Sequence, residues 1–154
     1  MEIKELDLRL DNEKDKKLSS QYTSFRKLIA ELKKREMPPE IVNSINRNIE
    51  KINSFSGSKK DLRKQIRKSQ SSTLQLIEKE LKLVTKNLYR MRWMVIGMSI
   101  FGVPVGVALG AALNNMAFLA IGIGIGMVIG MAIGAGMDKK AFEEGRQLDV
   151  EIKY

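Results

Sequence analysis

The stretch from Trp93 to Met137 decides the fold, and it reads WMVIGMSIFGVPVGVALGAALNNMAFLAIGIGIGMVIGMAIGAGM. These 45 consecutive residues include no charged side chain. A bilayer hydrocarbon core about 30 Å thick takes roughly 20 apolar residues per helix, so the run is long enough for two spans and a turn. We predict spans at about 93–113 and 116–137. Asn114 and Asn115 form the predicted hairpin turn, since asparagine tolerates left-handed backbone conformations.

The charges that flank the uncharged run predict its orientation, because positive residues stay on the cytoplasmic side of a membrane. Lysines and arginines precede the first span and follow the second: Lys79, Lys82, Lys86, Arg90 and Arg92, then Lys139, Lys140 and Arg146. We therefore expect a multi-pass protein of a bacterial inner membrane with both termini cytoplasmic. Residues 1–92 form the predicted cytoplasmic domain, 93–137 the hairpin and 138–154 a cytoplasmic tail.

Glycines give the most specific pattern, since ten of the twelve lie in the uncharged run. Seven follow steps of four: Gly102, Gly106 and Gly110 in the first span, and Gly122, Gly126, Gly130 and Gly134 in the second. Such rows share one helix face and let helix backbones approach closely in lipid. Over about residues 102–134 the chain resembles the glycine-zipper membrane proteins with a two-helix hairpin. The resemblance implies a tightly packed hairpin that often assembles into homo-oligomers, some of which form channels or pores.

Three helices are predicted before the hairpin, over about residues 12–36, 39–55 and 59–92. The first two carry apolar stripes at steps of three and four: Leu18, Tyr22, Phe25, Ile29 and Leu32, then Ile41, Ile45, Ile49 and Ile52. Two prolines at 38 and 39 end the first helix, because proline disfavours helix in the residue before it.

The third helix is predicted to run unbroken into the membrane. Ser58 and Asp61 resemble a capping box at its start, and no glycine or proline interrupts the chain from Lys59 to Ile96. A heptad row follows: Leu74, Ile77, Leu81, Val84, Leu88, Met91 and Val95. This row favours either a coiled-coil stalk in a homo-oligomer or a face that packs on the first two helices of the same chain. The overall prediction is an all-α membrane protein in which a cytoplasmic helical domain continues through a long helix into a transmembrane hairpin.

Both ends of the chain alternate apolar and charged residues. The apolar members are Leu6, Leu8 and Leu10 at one end, and Leu148, Val150, Ile152 and Tyr154 at the other. A period of two is typical of a half-buried strand, so short strands at both termini, the second over 147–154, are one interpretation. They would pair with each other or with a neighbouring subunit. Frayed or helical ends are the alternative.

Six cations crowd the start of the third helix: Lys59, Lys60, Arg63, Lys64, Arg67 and Lys68. Their i, i+4 rows lie side by side, and such a face attracts phosphate. The candidate partners are anionic lipid head groups, nucleic acid and a soluble phosphorylated ligand such as a nucleotide. A solvated basic helix face is the alternative.

The chain has no cysteine and no histidine. It therefore lacks thiolate nucleophiles, imidazole bases and the usual zinc ligands, and we expect no enzyme, metal site or cofactor. The leading hypothesis is a homo-oligomeric, channel- or pore-type membrane effector coupled to its cytoplasmic helical domain. The alternative is a structural tether or adaptor that recruits a cytoplasmic protein partner to the lipid bilayer.

Overall fold

The computed structural model describes residues 2–7 and 15–152. Two compact units divide the chain: unit 1 holds the described residues up to Val84 and those from Leu148 onward, and unit 2 holds 85–147. The elements are α1 (Lys16–Lys33), α2 (Pro39–Asn53), α3 (Lys59–Leu81), β1 (Val84–Thr85), α4 (Leu88–Gly97), a π-helical turn (Met98–Gly102), α5 (Val103–Ala112), α6 (Phe118–Glu143) and β2 (Gln147–Leu148).

Unit 1 buries the two apolar stripes of α1 and α2 against α3, as their periodicity predicts. All nine stripe residues are buried, and Phe25 and Ile45 are fully inaccessible. Side-chain caps start two of the helices. Asp15 accepts the Leu18 N–H at 3.2 Å, which lowers the pKa of its carboxyl, and Ser58 accepts the Asp61 N–H at 3.2 Å. The predicted cap at Ser58 is thus confirmed, because it satisfies an amide that the first helical turn leaves free.

The predicted limits of the first two helices are close to those observed. α1 ends at Lys33 rather than 36, while residues 12–14 of the prediction lie outside the described residues. α2 begins at Pro39, where the missing N–H of proline costs no helical hydrogen bond, and ends at Asn53 rather than 55.

The prediction of one unbroken helix from Lys59 to Ile96 is wrong, because α3 ends at Leu81. Lys82 takes a left-handed conformation with a φ of 56°, and the Leu83 N–H bonds back to the Ile77 carbonyl at 3.1 Å. This closure turns the chain and buries Leu83, a combination typical of a Schellman ending. After β1, α4 begins a separate helix at Leu88.

Because α3 ends at Leu81, no single helix carries the heptad row. Ile77 is buried in the core of unit 1, and Leu74 and Leu81 pack against that core. Met91 and Val95 lie on α4 and are exposed. The part of the row in α3 therefore packs within the same chain, and a coiled-coil stalk along the whole row is wrong.

The terminal segments do not pair as strands within the described chain. Residues 2–7 and 149–152 form no strand, and the two-residue β1 and β2 pair with each other instead. Residues 8–10 and 153–154 of the predicted strands lie outside the described residues. The alternation still predicts burial at the later segment, where Leu148, Val150 and Ile152 are buried and residues 149 and 151 are exposed.

Asparagine side chains of α2 replace a strand partner for residues 2–7. Asn46 accepts the Lys4 N–H at 2.8 Å and donates to the Glu2 carbonyl at 3.1 Å. Asn53, two helical turns later, accepts the Asp7 N–H at 3.2 Å and donates to the Glu5 carbonyl at 3.0 Å. A side-chain amide carries both N–H donors and a carbonyl acceptor, so these two asparagines satisfy four backbone groups of the segment without a sheet.

Candidate functional site

Unit 2 consists mainly of two long apolar helices that form a hairpin. The first runs without interruption over Leu88–Ala112 and includes α4, the π-helical turn and α5; the second is α6, Phe118–Glu143. Their most apolar windows have mean hydropathies of 2.0 and 2.2. At 1.5 Å per residue each helix is about 38 Å long, which exceeds the thickness of a bilayer hydrocarbon core. Length and composition therefore allow both helices to cross a membrane.

The hairpin interior is lined by the two predicted glycine rows, which face each other within one chain. A β-carbon on Gly102 would lie 2.8 Å from the Ile123 Cα, and one on Gly126 would lie 2.5 Å from the Gly102 nitrogen. On Gly134 it would lie 2.5 Å from the Arg90 Cα. These neighbours are backbone atoms that cannot rotate away, so only glycine allows the observed helix separation. We call the facing rows, Gly97, Gly102 and Gly106 with Gly122, Gly126, Gly130 and Gly134, the glycine interface. Gly110, the last member of the predicted first row, is buried against the connection instead, where a β-carbon on it would lie 3.2 Å from the Met116 Sδ.

Gly97 is a member of the glycine interface that the step-of-four pattern misses. It lies five residues before Gly102, and a β-carbon on it would lie 2.8 Å from the Gly130 Cα. The π-helical turn over Met98–Gly102 accommodates the extra residue through an i→i+5 bond from the Val103 N–H to the Met98 carbonyl. Pro104 lies two residues after the turn and has no N–H to donate to the helix, so two sources of helix irregularity lie side by side. The sequence signal for Gly97 is the step of five residues to Gly102, close to Pro104.

The connection between the two helices contains both predicted turn residues. Asn114 adopts a left-handed conformation with a φ of 49°. The Asn115 N–H donates to the Gly110 carbonyl at 3.0 Å, and its side-chain oxygen accepts the Ala117 N–H at 3.0 Å. The two asparagines thus form the turn that ends the first helix and leads into α6.

Asp138 closes the opposite end of the hairpin, and the sequence reasoning did not find it. It continues the row of Gly130 and Gly134 by four more residues, is only 8% exposed and accepts two backbone hydrogen bonds across the hairpin. The donors are the N–H groups of Tyr89 and Arg90, at 3.1 and 3.0 Å. α4 has no side-chain cap of its own at Asn87, so Asp138 supplies acceptors to the unpaired amides of its first turn and a negative charge at its positive end.

Large apolar side chains cover the outside of the hairpin. Every large apolar residue that is exposed in the described parts of the chain lies between Met91 and Phe142. Only 22% of the most apolar window of either helix is buried. A water-soluble hairpin buries its large apolar residues and exposes its polar ones. In this hairpin glycines lie between the helices and the large apolar side chains lie outside.

Charged and aromatic residues gather at the Asp138 end. Lys86, Arg90 and Arg92 precede or begin the first helix, and Lys139 and Lys140 end the second. Arg146 hydrogen-bonds to Glu144 and Tyr89, which raises the pKa of its guanidinium. Aromatic rings with polar edges and long cationic side chains favour the water interface of a membrane, and Tyr89 and Trp93 lie near these cations in the first helix.

The predicted basic cluster lies on α3 in unit 1, and its members have different surroundings. Lys59, Lys60, Lys64, Arg67 and Lys68 are exposed and Arg63 is half-buried. Lys64 is 4.0 Å from Asp61, and Arg63 lies near the Asp15 carboxylate. Arg67 lines a groove with Lys27 of α1, whereas Lys68 lines another with Lys51 of α2. The cluster therefore faces more than one surface.

No protein-family model, curated protein or solved structure matches this chain.

Proposed function

We propose that the protein is an integral membrane tether whose hairpin spans a bilayer and holds unit 1 at the cytoplasmic face. The observation that carries this proposal is the reversed hairpin, with glycine inside and large apolar side chains outside. Lipid removes from water the exposed surface of the large apolar side chains between Val95 and Met137. Full burial of one such side chain contributes roughly 1.5–3 kcal/mol, and each of these, already partly covered, contributes a fraction of that. Lysines and arginines flank the helix ends near Asp138, and the uncharged Asn114–Asn115 turn lies at the other end. Because positive residues stay on the cytoplasmic side, this distribution supports two cytoplasmic termini.

The closed interior favours a tether over a conducting hairpin. Backbone contacts along the glycine interface fill the space between the helices, and the uncharged run offers only Ser99, Asn114 and Asn115 as polar side chains. The Ser99 hydroxyl already donates to the Val95 carbonyl at 3.1 Å. A water-filled path within one hairpin would have few groups to replace the hydration of an ion.

A homo-oligomeric, channel-type effector is the second candidate, and an outer row of small residues on α6 favours it. Gly124 and Gly136 are exposed, and a β-carbon on either would meet no atom of the described chain within 4 Å. Ala120 and Ala132 lie on the same i+4 row, whose middle member is the exposed Val128. A second copy could approach this row closely, since the glycine interface is already used within one chain.

Ion flux across liposomes separates the two candidates. The full chain, reconstituted in phosphatidylethanolamine and phosphatidylglycerol vesicles loaded with a potassium-sensitive dye, should leave them as tight as protein-free vesicles at every protein density. Flux that rises steeply with density and disappears with Gly124→Leu would contradict the tether and establish the oligomeric channel. Gly124→Leu changes an outward position only, so it leaves the hairpin itself intact.

A further inference from the structure

Residues 2–7 lie between α1 and α2 in unit 1 and form neither helix nor strand. Four of their backbone groups bond to the side-chain amides of Asn46 and Asn53. Ile3 and Leu6 are buried, at 7% and 6% exposure, while the other four side chains of the segment are exposed. Backbone hydrogen bonds and two apolar anchors are also what hold a bound peptide in a recognition domain. We call the surface beneath the segment the α1–α2 groove; it includes Ile29, Lys33, Val42, Asn46, Glu50 and Asn53.

The two asparagines are spaced to match an extended chain. Asn46 bonds to the backbone groups on either side of Ile3, and Asn53 bonds to those on either side of Leu6. The asparagines are seven helical residues apart, which is about 10.5 Å along α2, and the anchors are three extended residues apart, which is about 10 Å. Because the amides bind backbone and not side chains, the pair recognises an extended segment with apolar residues at positions i and i+3.

Two ion pairs add a direction to this recognition. Lys4 pairs with Glu50 of α2, and the Glu5 Oε1 lies 3.1 Å from the Lys33 Nζ of α1. Exposed ion pairs contribute little to stability, but a segment bound backwards would place like charges together, which is unfavourable. The preferred occupant of the groove is therefore an apolar–basic–acidic–apolar segment, which residues 3–6 of this chain provide.

A second copy of the chain can supply the same segment. Release of residues 2–7 returns Ile3 and Leu6 to water, and exchange between two copies restores each anchor, hydrogen bond and ion pair that release breaks. Exchange of an identical element is a low-cost route to dimers for this reason. Seven residues, 8–14, connect the segment to Asp15, and a chain of that length reaches at most about 25 Å, so the second copy must be an immediate neighbour.

We propose that the α1–α2 groove is an extended-peptide site and that in the membrane it binds residues 2–7 of a second copy. Two copies anchored in one bilayer are neighbours, and their confinement raises the effective concentration at which the segment of one meets the groove of the other. Reciprocal exchange then forms a homodimer through unit 1 without any contact between hairpins. The proposal rests on the tether only for the shared membrane, so flotation of the protein with its vesicles shows separately whether the tether has failed.

Cross-linking between two differently tagged copies tests the exchange. The chain has no cysteine, so Lys4→Cys in one copy and Glu50→Cys in the other place single thiols at the two ends of one ion pair. After both copies are reconstituted together in vesicles, a short bismaleimide should join them at least about tenfold more than it joins Lys4→Cys to Lys51→Cys. Lys51 is a matched control because it is exposed on the same helix and lines the surface toward α3. Equal yields would mean random collision and would overturn the proposal.

A synthetic peptide of residues 2–7 tests recognition of the backbone. In excess it should lower the cross-copy yield about tenfold, whereas the same peptide N-methylated at Lys4 and Asp7 should have little effect, because it keeps every side chain and lacks the two N–H donors. Equal effects of the two peptides, or no effect of either, would contradict recognition by Asn46 and Asn53. Peptide binding without a cross-copy product would assign the groove to a segment of another protein and would overturn the second copy as its occupant.

Substitutions in the segment give a second control. Leu6→Asp in the Lys4→Cys copy removes a buried anchor and should abolish the cross-copy product. Glu2→Ala should preserve the product, since the Glu2 side chain is exposed and only its carbonyl is bound by Asn46. A product that survives Leu6→Asp would show that the segment does not enter the groove of the other copy.

Discussion

Leucine at Gly126 should force the hairpin helices apart, whereas leucine at Gly124 should leave them together. A β-carbon on Gly126 would lie 2.5 Å from the Gly102 nitrogen, while one on Gly124 meets no described atom within 4 Å. Both variants add the same volume to the same helix and gain the same helix propensity. Overpacking typically costs about 1–3 kcal/mol, and the upper end applies against rigid backbone, so Gly126→Leu should lower the melting temperature in detergent and Gly124→Leu should not.

Spin labels across the hairpin measure the separation directly. The chain has no cysteine, so cysteines at Val107 and Ile121, which are exposed on opposite helices, label without interference. Their distance should increase in Gly126→Leu and stay constant in Gly124→Leu. Equal distances in both variants would contradict the glycine interface.

Alanine at Asp138 should destabilise the same hairpin by roughly 2 kcal/mol, because it removes a nearly buried carboxylate that accepts two backbone hydrogen bonds. Asp138→Asn keeps one acceptor oxygen and should cost about half as much. Lys139→Ala changes the adjacent exposed residue and should stay within about 0.5 kcal/mol.

Amide hydrogen exchange locates this effect. The Tyr89 and Arg90 amides should exchange much faster in Asp138→Ala, since their acceptors are gone, and should be unaffected in Lys139→Ala. Unchanged exchange at both amides in Asp138→Ala would refute the capping role.

The hairpin and the helix stripes could be predicted because their signals are local. Each signal can be read within one element. The signals are the long uncharged run, the apolar residues at steps of three and four, and Ser58 three residues before Asp61. These signals placed the stripes of α1 and α2, the start of α3 at Lys59 and the two apolar helices. Step-of-four glycines also identified six of the seven residues of the glycine interface.

What the sequence did not predict depends on partners that are distant in the chain. Lys82 has no local tendency toward a left-handed conformation, so the end of α3 follows from burial of Leu83 and not from a glycine. Asp138 accepts a hydrogen bond from the Arg90 N–H, which lies 48 residues earlier in the chain. Lys27 and Arg67 meet in one groove only after α1 packs on α3. The glycine rows were also the sequence evidence for homo-oligomers, yet their contacts lie within one hairpin.

Impermeant thiol labelling of single-cysteine variants in intact cells tests the central claim, a hairpin that crosses the membrane twice. Asn115→Cys lies in the turn between the helices and Ser56→Cys in the exposed loop before α3. We predict that the reagent labels Asn115→Cys from outside and labels Ser56→Cys only after the membrane is permeabilised. Recovery of the protein in the soluble fraction, or labelling of Ser56→Cys but not Asn115→Cys in intact cells, would contradict this account.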